Sequence, residues 1–489
     1  MLELLDAVPY KIIAVFITFM LLMSYFMVNF NNKKYLLMLV VFYIPISFVT
    51  QSGSTAVYLS IALWLMSFLD VGDRFSLAVR PYLYERISIV IILMLSIVTF
   101  FISKDSGIVY YVGDKIRLTN NFLMVVAMLS NFALFSMLIK YIDNIEDLIS
   151  IIRYIVISGF IGSMVSYLQL ASISSIVKYI VVAENPVWST RVAGTMPGYE
   201  CLSEYIAILC VLSFIIIYFT RNNMEKFFYY IIIINFMIVL VLTQTRGIFI
   251  AGILAILYTF GLLCVLGKIR AVAKYAIISL CSCLLIFSII LMSDKMRKSD
   301  STFMDRIVEL KDINIQKGEY GTRTGSWRWG YITIGRMKLP ELLFGSGYKY
   351  FMESLKTEGY MGWPHCLYYS YIIRNGIISF MVFALLLIVL YWKSLMSIIY
   401  SMRLENTGLF FLAICLHFIL VLFIVNEAKI EFIRHDRSEN TTWVFLSIIA
   451  IGSSIIRSIK LDLSNINSRY IPKSVSVQDS VKQYPLSIS

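Results

Sequence analysis

Long apolar stretches recur along nearly the whole chain of 489 residues, and they constrain its fold more than any other feature. Each is about 17 to 25 residues long, which is enough to cross a hydrocarbon core of about 30 Å as an α-helix. Because a bilayer offers no water to backbone polar groups, a spanning segment must be a helix or part of a closed barrel. The alternating pattern of a membrane barrel is absent. The sequence therefore predicts an all-α, polytopic membrane helical bundle.

The predicted spans number about thirteen, within a range of 12–14. They lie at about 11–30, 35–50, 55–70, 87–103, 122–140, 154–172, 199–220, 227–243, 247–267, 273–292, 366–392, 408–425 and 442–458. The first is too long for the apolar region of a signal peptide, so we expect it to be retained. We predict one membrane domain over residues 1–460 and a polar, weakly ordered cytoplasmic tail over 461–489.

Basic residues give the chain a formal net charge of +12, although only 15% of its residues are charged. In a soluble protein this excess would suggest nucleic-acid binding. Here the basic residues collect in connectors on one side of the predicted bundle, among them 31–34, 221–226 and 393–403. The positive-inside rule makes that side cytoplasmic. We therefore expect a multi-pass membrane protein with no nucleic-acid partner.

One long interruption breaks the apolar pattern, over residues 293–365. It contains Arg323-Thr-Gly-Ser-Trp-Arg-Trp-Gly330, Leu343-Phe-Gly-Ser-Gly-Tyr348 and Trp363-Pro-His365. It falls on the side opposite the basic connectors, which predicts a large extracytoplasmic loop. Nearly all other residues belong to spans or short connectors, so we expect the function to lie at this loop.

Several arginines stand on the outer side, where the positive-inside rule does not place them, and four of them are candidate ligands: Arg191, Arg246, Arg323 and Arg328. An arginine near membrane depth often marks a function, and its planar fork suits bidentate binding of phosphate or pyrophosphate. The alternative is that each side chain reaches lipid headgroups. That alternative is favoured for Arg328, whereas the tight polar turn from Thr243 to Gly247 favours ligand binding by Arg246.

A histidine at the exit of the loop is a candidate general base. His365 follows Pro364 at the predicted start of a span, and imidazole is the usual base near neutral pH. His417 lies mid-span and is predicted to be a hydrogen-bonded core residue instead. Glu200 either orients an acceptor or, as we favour, pairs with an arginine. No motif with metal-ligand or nucleotide-binding spacing lies on the outer side, so neither a metal nor a cofactor is expected.

Taken in order, these motifs resemble those of the bacterial O-antigen polymerase and O-antigen ligase superfamily of integral membrane glycosyltransferases. The order is Arg-x-x-Gly from Arg191, Thr-Gln-Thr-Arg-Gly around Arg246, Arg-x-x-x-Trp from Arg323, Pro-x-x-Leu-Phe-Gly-x-Gly, and Pro-His before a span that runs through Arg374-Asn-Gly376. The resemblance covers roughly residues 191–392. Cys366 departs from the pattern, because the family usually has an amide after the loop histidine.

The resemblance implies a reaction at the outer face of the bacterial inner membrane. Such enzymes transfer a glycan from undecaprenyl pyrophosphate to a sugar hydroxyl, and we expect inversion at the anomeric carbon without a metal. The expected partners are the lipid-linked oligosaccharide, membrane lipid and a chain-length regulator membrane protein. By analogy the catalytic residues are His365 and Arg246, and the substrate-binding residues are Arg191, Arg323, Arg328 and Glu200.

Three functions stay open on the sequence alone. The favoured one is an O-antigen or capsular polysaccharide polymerase that transfers glycan to the non-reducing end of another lipid-linked repeat. An O-antigen ligase, which transfers glycan to lipid A–core, has the same architecture. A lipid-linked oligosaccharide flippase would need charged residues along mid-membrane helices, and the predicted spans are almost free of charge.

Overall fold

The computed structural model describes residues 33–46, 60–65, 82–103, 107–112, 115–170, 192–196, 199–243, 245–267, 323–358, 364, 366–428 and 436–470. The predicted spans at about 11–30 and 273–292 lie outside the described residues. So do two of the candidate site residues, Arg191 and His365. The span predicted at 55–70 is described only over residues 60–65, which are helical.

Thirteen further helices and one β-hairpin make up the regular structure of the described residues. The helices are α1 (Lys33–Ile46), α2 (Leu83–Ile102), α3 (Asn121–Tyr141), α4 (Ile145–Leu170), α5 (Tyr199–Phe219), α6 (Asn223–Leu242), α7 (Arg246–Val265), α8 (Arg323–Arg336), α9 (Leu339–Phe344), α10 (Lys349–Glu358), α11 (Leu367–Arg403), α12 (Thr407–Glu427) and α13 (Asp436–Tyr470). The strands are β1 (Gly107–Val112) and β2 (Lys115–Asn120).

Nine helices of the described part are long and apolar enough to cross a membrane, namely α2 to α7 and α11 to α13. The predicted all-α, polytopic membrane bundle is therefore confirmed. Predicted and observed bounds agree closely in places, as for the span predicted at 199–220 and found at Tyr199–Phe219. Helix α4 begins at Ile145, well before its predicted start at 154, and two helices end later than predicted. α11 continues to Arg403, and α13 continues to Tyr470, which makes the beginning of the expected weakly ordered tail helical.

The connector between the spans predicted at 87–103 and 122–140 contains the only strands of the described residues. β1 and β2 pair antiparallel, from Gly107 opposite Asn120 to Val112 opposite Lys115. The run Ile108-Val-Tyr-Tyr-Val112 is β-branched and aromatic, which favours extended backbone over helix. This local preference decides the conformation because the connector is outside the spans.

Helix α12 occupies the middle of the bundle, where it packs against α5, α7, α11 and α13. It is apolar around its whole circumference, as expected for a helix enclosed by other helices. The side chains of α6 and α7, in contrast, include exposed large apolar residues such as Ile234 and Leu257. We assign these exposed faces to the boundary with lipid.

The two ends of the bundle differ. At one end α5, α7 and α11 begin and α12 finishes, and we call it the loop end because α8 to α10 pack there. Tyr368 Oη donates to the Ile424 carbonyl at 2.8 Å, which joins the start of α11 to the end of α12. The opposite end is joined by ion pairs, including Arg153–Glu225 at 3.2 Å.

The interior of the bundle holds more charge than the sequence suggests. Glu85 of α2 is fully buried and pairs with Lys393 of α11 at 2.5 Å. His417 is also fully buried, with its Nδ1 2.8 Å from Ser394 Oγ and its Nε2 3.4 Å from Tyr258 Oη. The prediction that His417 is a hydrogen-bonded core residue is therefore confirmed. Each of these contacts pairs a polar group that lipid would leave unsatisfied.

Candidate functional site at the loop end

The described part of the long interruption is folded rather than an irregular loop. Residues 323–358 form α8, α9 and α10, and we call them the helical cap. α8 and α9 pack on α11, and α9 also packs on α2. A small apolar core joins the cap to α11 and contains Met337, Tyr348, Phe351 and Ile373. The cap therefore has a defined position on the bundle.

A pair of glycines fastens the helical cap to α11. Gly345 has φ 95°, and Gly376, which interrupts α11, has φ 83°. A Cβ on Gly345 would stand 2.2 Å from the Arg374 carbonyl oxygen, and a Cβ on Gly376 would stand 2.4 Å from the Leu343 carbonyl oxygen. Only glycine permits this backbone approach at these dihedral angles. Two motifs that are separate in the sequence thus form one contact.

Hydrogen bonds complete this contact. Ser346 donates to the Ile373 carbonyl from its amide at 2.9 Å and from its hydroxyl at 2.8 Å, and the Gly347 amide donates to the Arg374 carbonyl at 3.1 Å. Arg374 is only 3% exposed, and its guanidinium lies 5.0 Å from the centroid of the Tyr348 ring. A desolvated cation over an aromatic face is a favourable contact. Sequence reasoning missed this structural role of Arg374.

Helix α8 packs against Pro364 and the first turn of α11. Gly330 approaches this segment so closely that a Cβ there would lie 2.8 Å from Pro364 Cβ and 3.2 Å from Tyr369 Cδ2. Position 323 precedes Gly330 by about two helical turns and therefore lies on the same face of α8. The structure thus brings position 323 to the side of α8 that meets the neighbours of His365. The Arg323 side chain lies outside the described part of the chain.

The side chains of two other candidate residues, Arg328 and Glu200, are described. Arg328 is exposed. It is two residues from Gly330, which is about 200° around the helix axis, so it lies on a different face of α8. Glu200 is half-buried in the first turn of α5. Arg328 therefore does not share the face of α8 that carries position 323 and Gly330.

The segment that follows Arg191 is held in place by one glutamine. Gln169, near the end of α4, accepts from the amides of Ala193 at 2.9 Å and Gly194 at 3.0 Å, and it donates to the Gly194 carbonyl at 3.2 Å. Gly194 has φ 57°, a left-handed conformation that favours glycine. Thr195 and Met196 are buried. The Arg-x-x-Gly motif is therefore anchored at its glycine.

Arg246 is the first residue of α7, directly after the tight turn that the sequence predicted. α6 ends at Leu242, and the intervening Thr245 is 3% exposed and donates to the Tyr199 carbonyl at 3.4 Å. This bond joins the start of α7 to the start of α5. The positive end of the α7 dipole lies here, which favours anions. The backbone of Arg246 is described, whereas its side chain is not.

Two buried carboxyl groups lie at the loop end, and sequence analysis did not predict that both are buried there. Glu204 of α5 and Glu427 of α12 are both fully buried. Asn426 Nδ2 donates to Glu204 Oε2 at 2.5 Å. The sequence signal was present, because each is a carboxylate within a mostly apolar helix, but nothing in the sequence shows that the two helices meet.

Glu341 ties α9 to α10 within the helical cap. It accepts from Lys349 Nζ at 2.7 Å, from Tyr350 Oη at 2.6 Å and from the Lys338 amide at 3.1 Å. Burial raises the pKa of the Glu341 carboxyl, but the three hydrogen bonds outweigh burial and leave the pKa below its usual value. Burial and the neighbouring Glu341 raise the pKa of Tyr350.

Within the described ranges, no group of three or more His, Cys, Asp and Glu side chains is placed to hold a metal ion. Comparison with known protein families finds no match, and no curated protein matches the chain. The function must therefore be argued from the geometry of the loop end.

Proposed function

We propose that the chain is a metal-independent, inverting glycosyltransferase that elongates an O-antigen or capsular polysaccharide from a lipid-linked donor. One observation carries this proposal, namely that the separate motif segments all lie at the same end of the bundle, the loop end. The start of α7 at Arg246 meets α5, and α8 meets Pro364. The segment after Arg191 is pinned at the end of α4. Such a grouping suits a lipid pyrophosphate that enters from the bilayer.

The proposed transfer forms a bond between the acceptor hydroxyl oxygen and the anomeric carbon. It breaks the bond between that carbon and the pyrophosphate oxygen. Arg246 and Arg191, with Arg323 from the helical cap, stabilise the charge on the leaving pyrophosphate. Fixed cations are effective because they need no reorganisation when the charge develops. His365 accepts the hydroxyl proton, and attack opposite the leaving group inverts the configuration.

The proposed location is the bacterial inner membrane, with the loop end on the periplasmic side. The opposite end carries Lys34, Arg221, Lys226 and Arg403 at or near the ends of described helices. The positive-inside rule supports a cytoplasmic position for these residues. Undecaprenyl-pyrophosphate-linked repeats exposed at the outer face would then reach the loop end directly.

Alanine variants test the enzyme in cells that lack the chromosomal gene. We expect Arg246→Ala to slow polymerisation by about 10²–10³-fold, as for loss of one transition-state donor. We expect His365→Ala to slow polymerisation by about 10²–10⁴-fold, as for loss of a general base. Arg336→Ala is the matched control, because Arg336 is exposed in the last turn of α8. Wild-type chain lengths in both site variants, at equal protein levels, would contradict the proposal.

The gene deletion itself separates the three candidate functions. A polymerase deletion leaves single repeats attached to lipid A–core. A ligase deletion removes all O-antigen from the core and accumulates lipid-linked polymer. A flippase deletion accumulates lipid-linked single repeats on the cytoplasmic side. Glycan analysis of the core and of the lipid-linked pool distinguishes these outcomes.

A further inference from the structure

The helical cap meets α2 and α11 at a defined height along the bundle. In α9, the Phe344 carbonyl accepts a hydrogen bond from Thr99 Oγ1, three residues before α2 ends at Ile102. On α11, the cap contact at Gly376 lies five residues, or about 7.5 Å, before Met381. These two contacts fix the height of α9 along both spanning helices.

The lipid-facing side of the bundle reaches this same height. The exposed large apolar residues of α2 extend past Thr99 to Phe101, which is 64% exposed, and those of α11 begin at Met381. In each helix they recur every three or four residues and so form one stripe. The stripes are Tyr84, Ile87, Ile91, Met94, Val98 and Phe101 on α2, and Met381, Leu385, Ile388 and Trp392 on α11. The edge of the hydrocarbon core therefore lies close to the height of α9.

The cap exposes aromatic, apolar and basic side chains near this height. Tyr331 is 71% exposed and Leu339 is 68% exposed. Arg328 is exposed on the same side of α8 as Tyr331, three residues away, and Lys338 is exposed beside Leu339. We call these four residues the cap surface. The one acidic residue of α8 and α9, Glu341, is half-buried and ion-paired within the cap. The cap surface is therefore cationic and partly apolar.

A bilayer surface matches both the composition and the height of the cap surface. Leu339 is five residues before Phe344, so it lies within about 7.5 Å of that contact along α9. Tyr331 is five residues before the end of α8, which directly precedes α9. The headgroup layer on each side of the core is about 5–7 Å thick. Tyrosine rings are enriched in this layer, and basic side chains reach lipid phosphates from it.

We propose that the cap surface docks on the bilayer at the loop end, with Leu339 at the edge of the hydrocarbon core and Tyr331 in the headgroup layer. Arg328 and Lys338 bind the phosphates of anionic lipids there. This is the alternative that the sequence favours for Arg328. Docking holds the helical cap at the depth where a membrane lipid presents its phosphate group. The proposal concerns lipid contact alone and does not rest on the proposed function.

Photo-crosslinking tests the docking. p-Benzoylphenylalanine replaces Tyr331, Leu339 or Phe101, one position at a time, and each protein is reconstituted in nanodiscs of phosphatidylethanolamine and phosphatidylglycerol. After illumination, mass spectrometry of the digested protein identifies lipid adducts. We expect lipid adducts at positions 331 and 339 as well as at 101, which is the control in the lipid-facing stripe of α2. Lipid adducts at 101 but at neither cap position would overturn the proposal.

The ratio of phosphatidylglycerol to phosphatidylethanolamine adducts at position 331 tests the two cations. Arg328→Gln/Lys338→Gln removes both charges, and we expect it to lower this ratio by about fivefold for each lost cation. Arg221→Gln/Arg403→Gln is the matched control, because it removes the same charge from exposed positions at the opposite end. We expect the control to keep the wild-type ratio. An equal ratio in the two double variants would refute the binding of anionic lipid by Arg328 and Lys338.

The adduct yield at position 101 reports whether the bundle stays intact. Both double variants change exposed side chains only, so we expect that yield to equal the wild-type value in each. A protein that forms the lipid adducts at 331 and 339 but makes no polymer would retain the docking surface and refute the proposed function.

Discussion

Individual residues at the loop end act largely through the backbone that they hold. Gly345 and Gly376 bring α9 and α11 together because neither has a side chain. Gln169 holds the 192–196 segment by pairing with three backbone groups. Neither role is chemical, yet the glycine contact fixes the helical cap on α11, and Gln169 fixes the segment that follows Arg191. Substitutions at these positions are therefore expected to change activity through geometry.

Alanine at either contact glycine is expected to release the helical cap. Gly345→Ala and Gly376→Ala each force a side chain into a backbone conformation that costs about 1–3 kcal/mol. They also place a Cβ against a carbonyl oxygen, so the loss of stability is expected to exceed that range. Gly335→Ala is the control, because a Cβ there meets no atom within 4 Å. Thermal unfolding of the purified variants measures the difference, and equal stability of G345A and G335A would contradict this role.

Gln169 offers a graded test of the 192–196 segment. Gln169→Glu keeps an acceptor for the Ala193 and Gly194 amides but loses the donor to the Gly194 carbonyl. Gln169→Leu loses all three contacts. Each buried backbone group that is left unpaired lowers the free energy of unfolding by about 1–3 kcal/mol. We expect the Leu variant to be the less stable and to bind donor more weakly than the Glu variant. Indistinguishable donor affinities would show that the segment does not position Arg191.

At the scale of elements, the spans were predictable and the helical cap was not. Lipid forces any long apolar segment to be helical, so hydropathy alone identifies α5 or α12. The cap helices α8 to α10 are polar and short, and their positions depend on close contacts such as Gly330 against Pro364. The Glu204–Asn426 bond joins residues 222 apart in the chain. Contacts of this kind depend on which helices meet, which no local pattern reveals.

The tie between α9 and α10 is expected to weaken in acid. The folded-state pKa of Glu341 is lowered, so its contribution is fully present above the unfolded pKa of about 4.3 and is lost as pH falls through the folded value. Hydrogen exchange in α9 and α10 should rise at low pH more in the wild type than in Glu341→Gln. The exchange rate of the wild type is divided by that of the variant at each pH, which removes the intrinsic pH dependence of exchange. A constant ratio would contradict this role of Glu341.

At the scale of the whole molecule, the bundle has a basic end and an end that carries the candidate site. Helices α5, α7 and α11 begin at the loop end, beside the finish of α12, and the helical cap packs there on α11 and α2. A lipid-linked substrate would approach from the bilayer, while the acceptor would approach from the aqueous side. The proposed transferase needs a site that is accessible both from the bilayer and from the aqueous side.

The most direct measurement is polymerisation by the purified protein in nanodiscs. The substrate is an undecaprenyl-pyrophosphate-linked repeat, and a chelator is present to remove divalent metals. We expect the glycan to lengthen, with one undecaprenyl pyrophosphate released for each bond formed, and both signals to fall together in Arg246→Ala. No lengthening by the wild type, or the same rate in Arg246→Ala and His365→Ala as in the wild type, would contradict the proposed function.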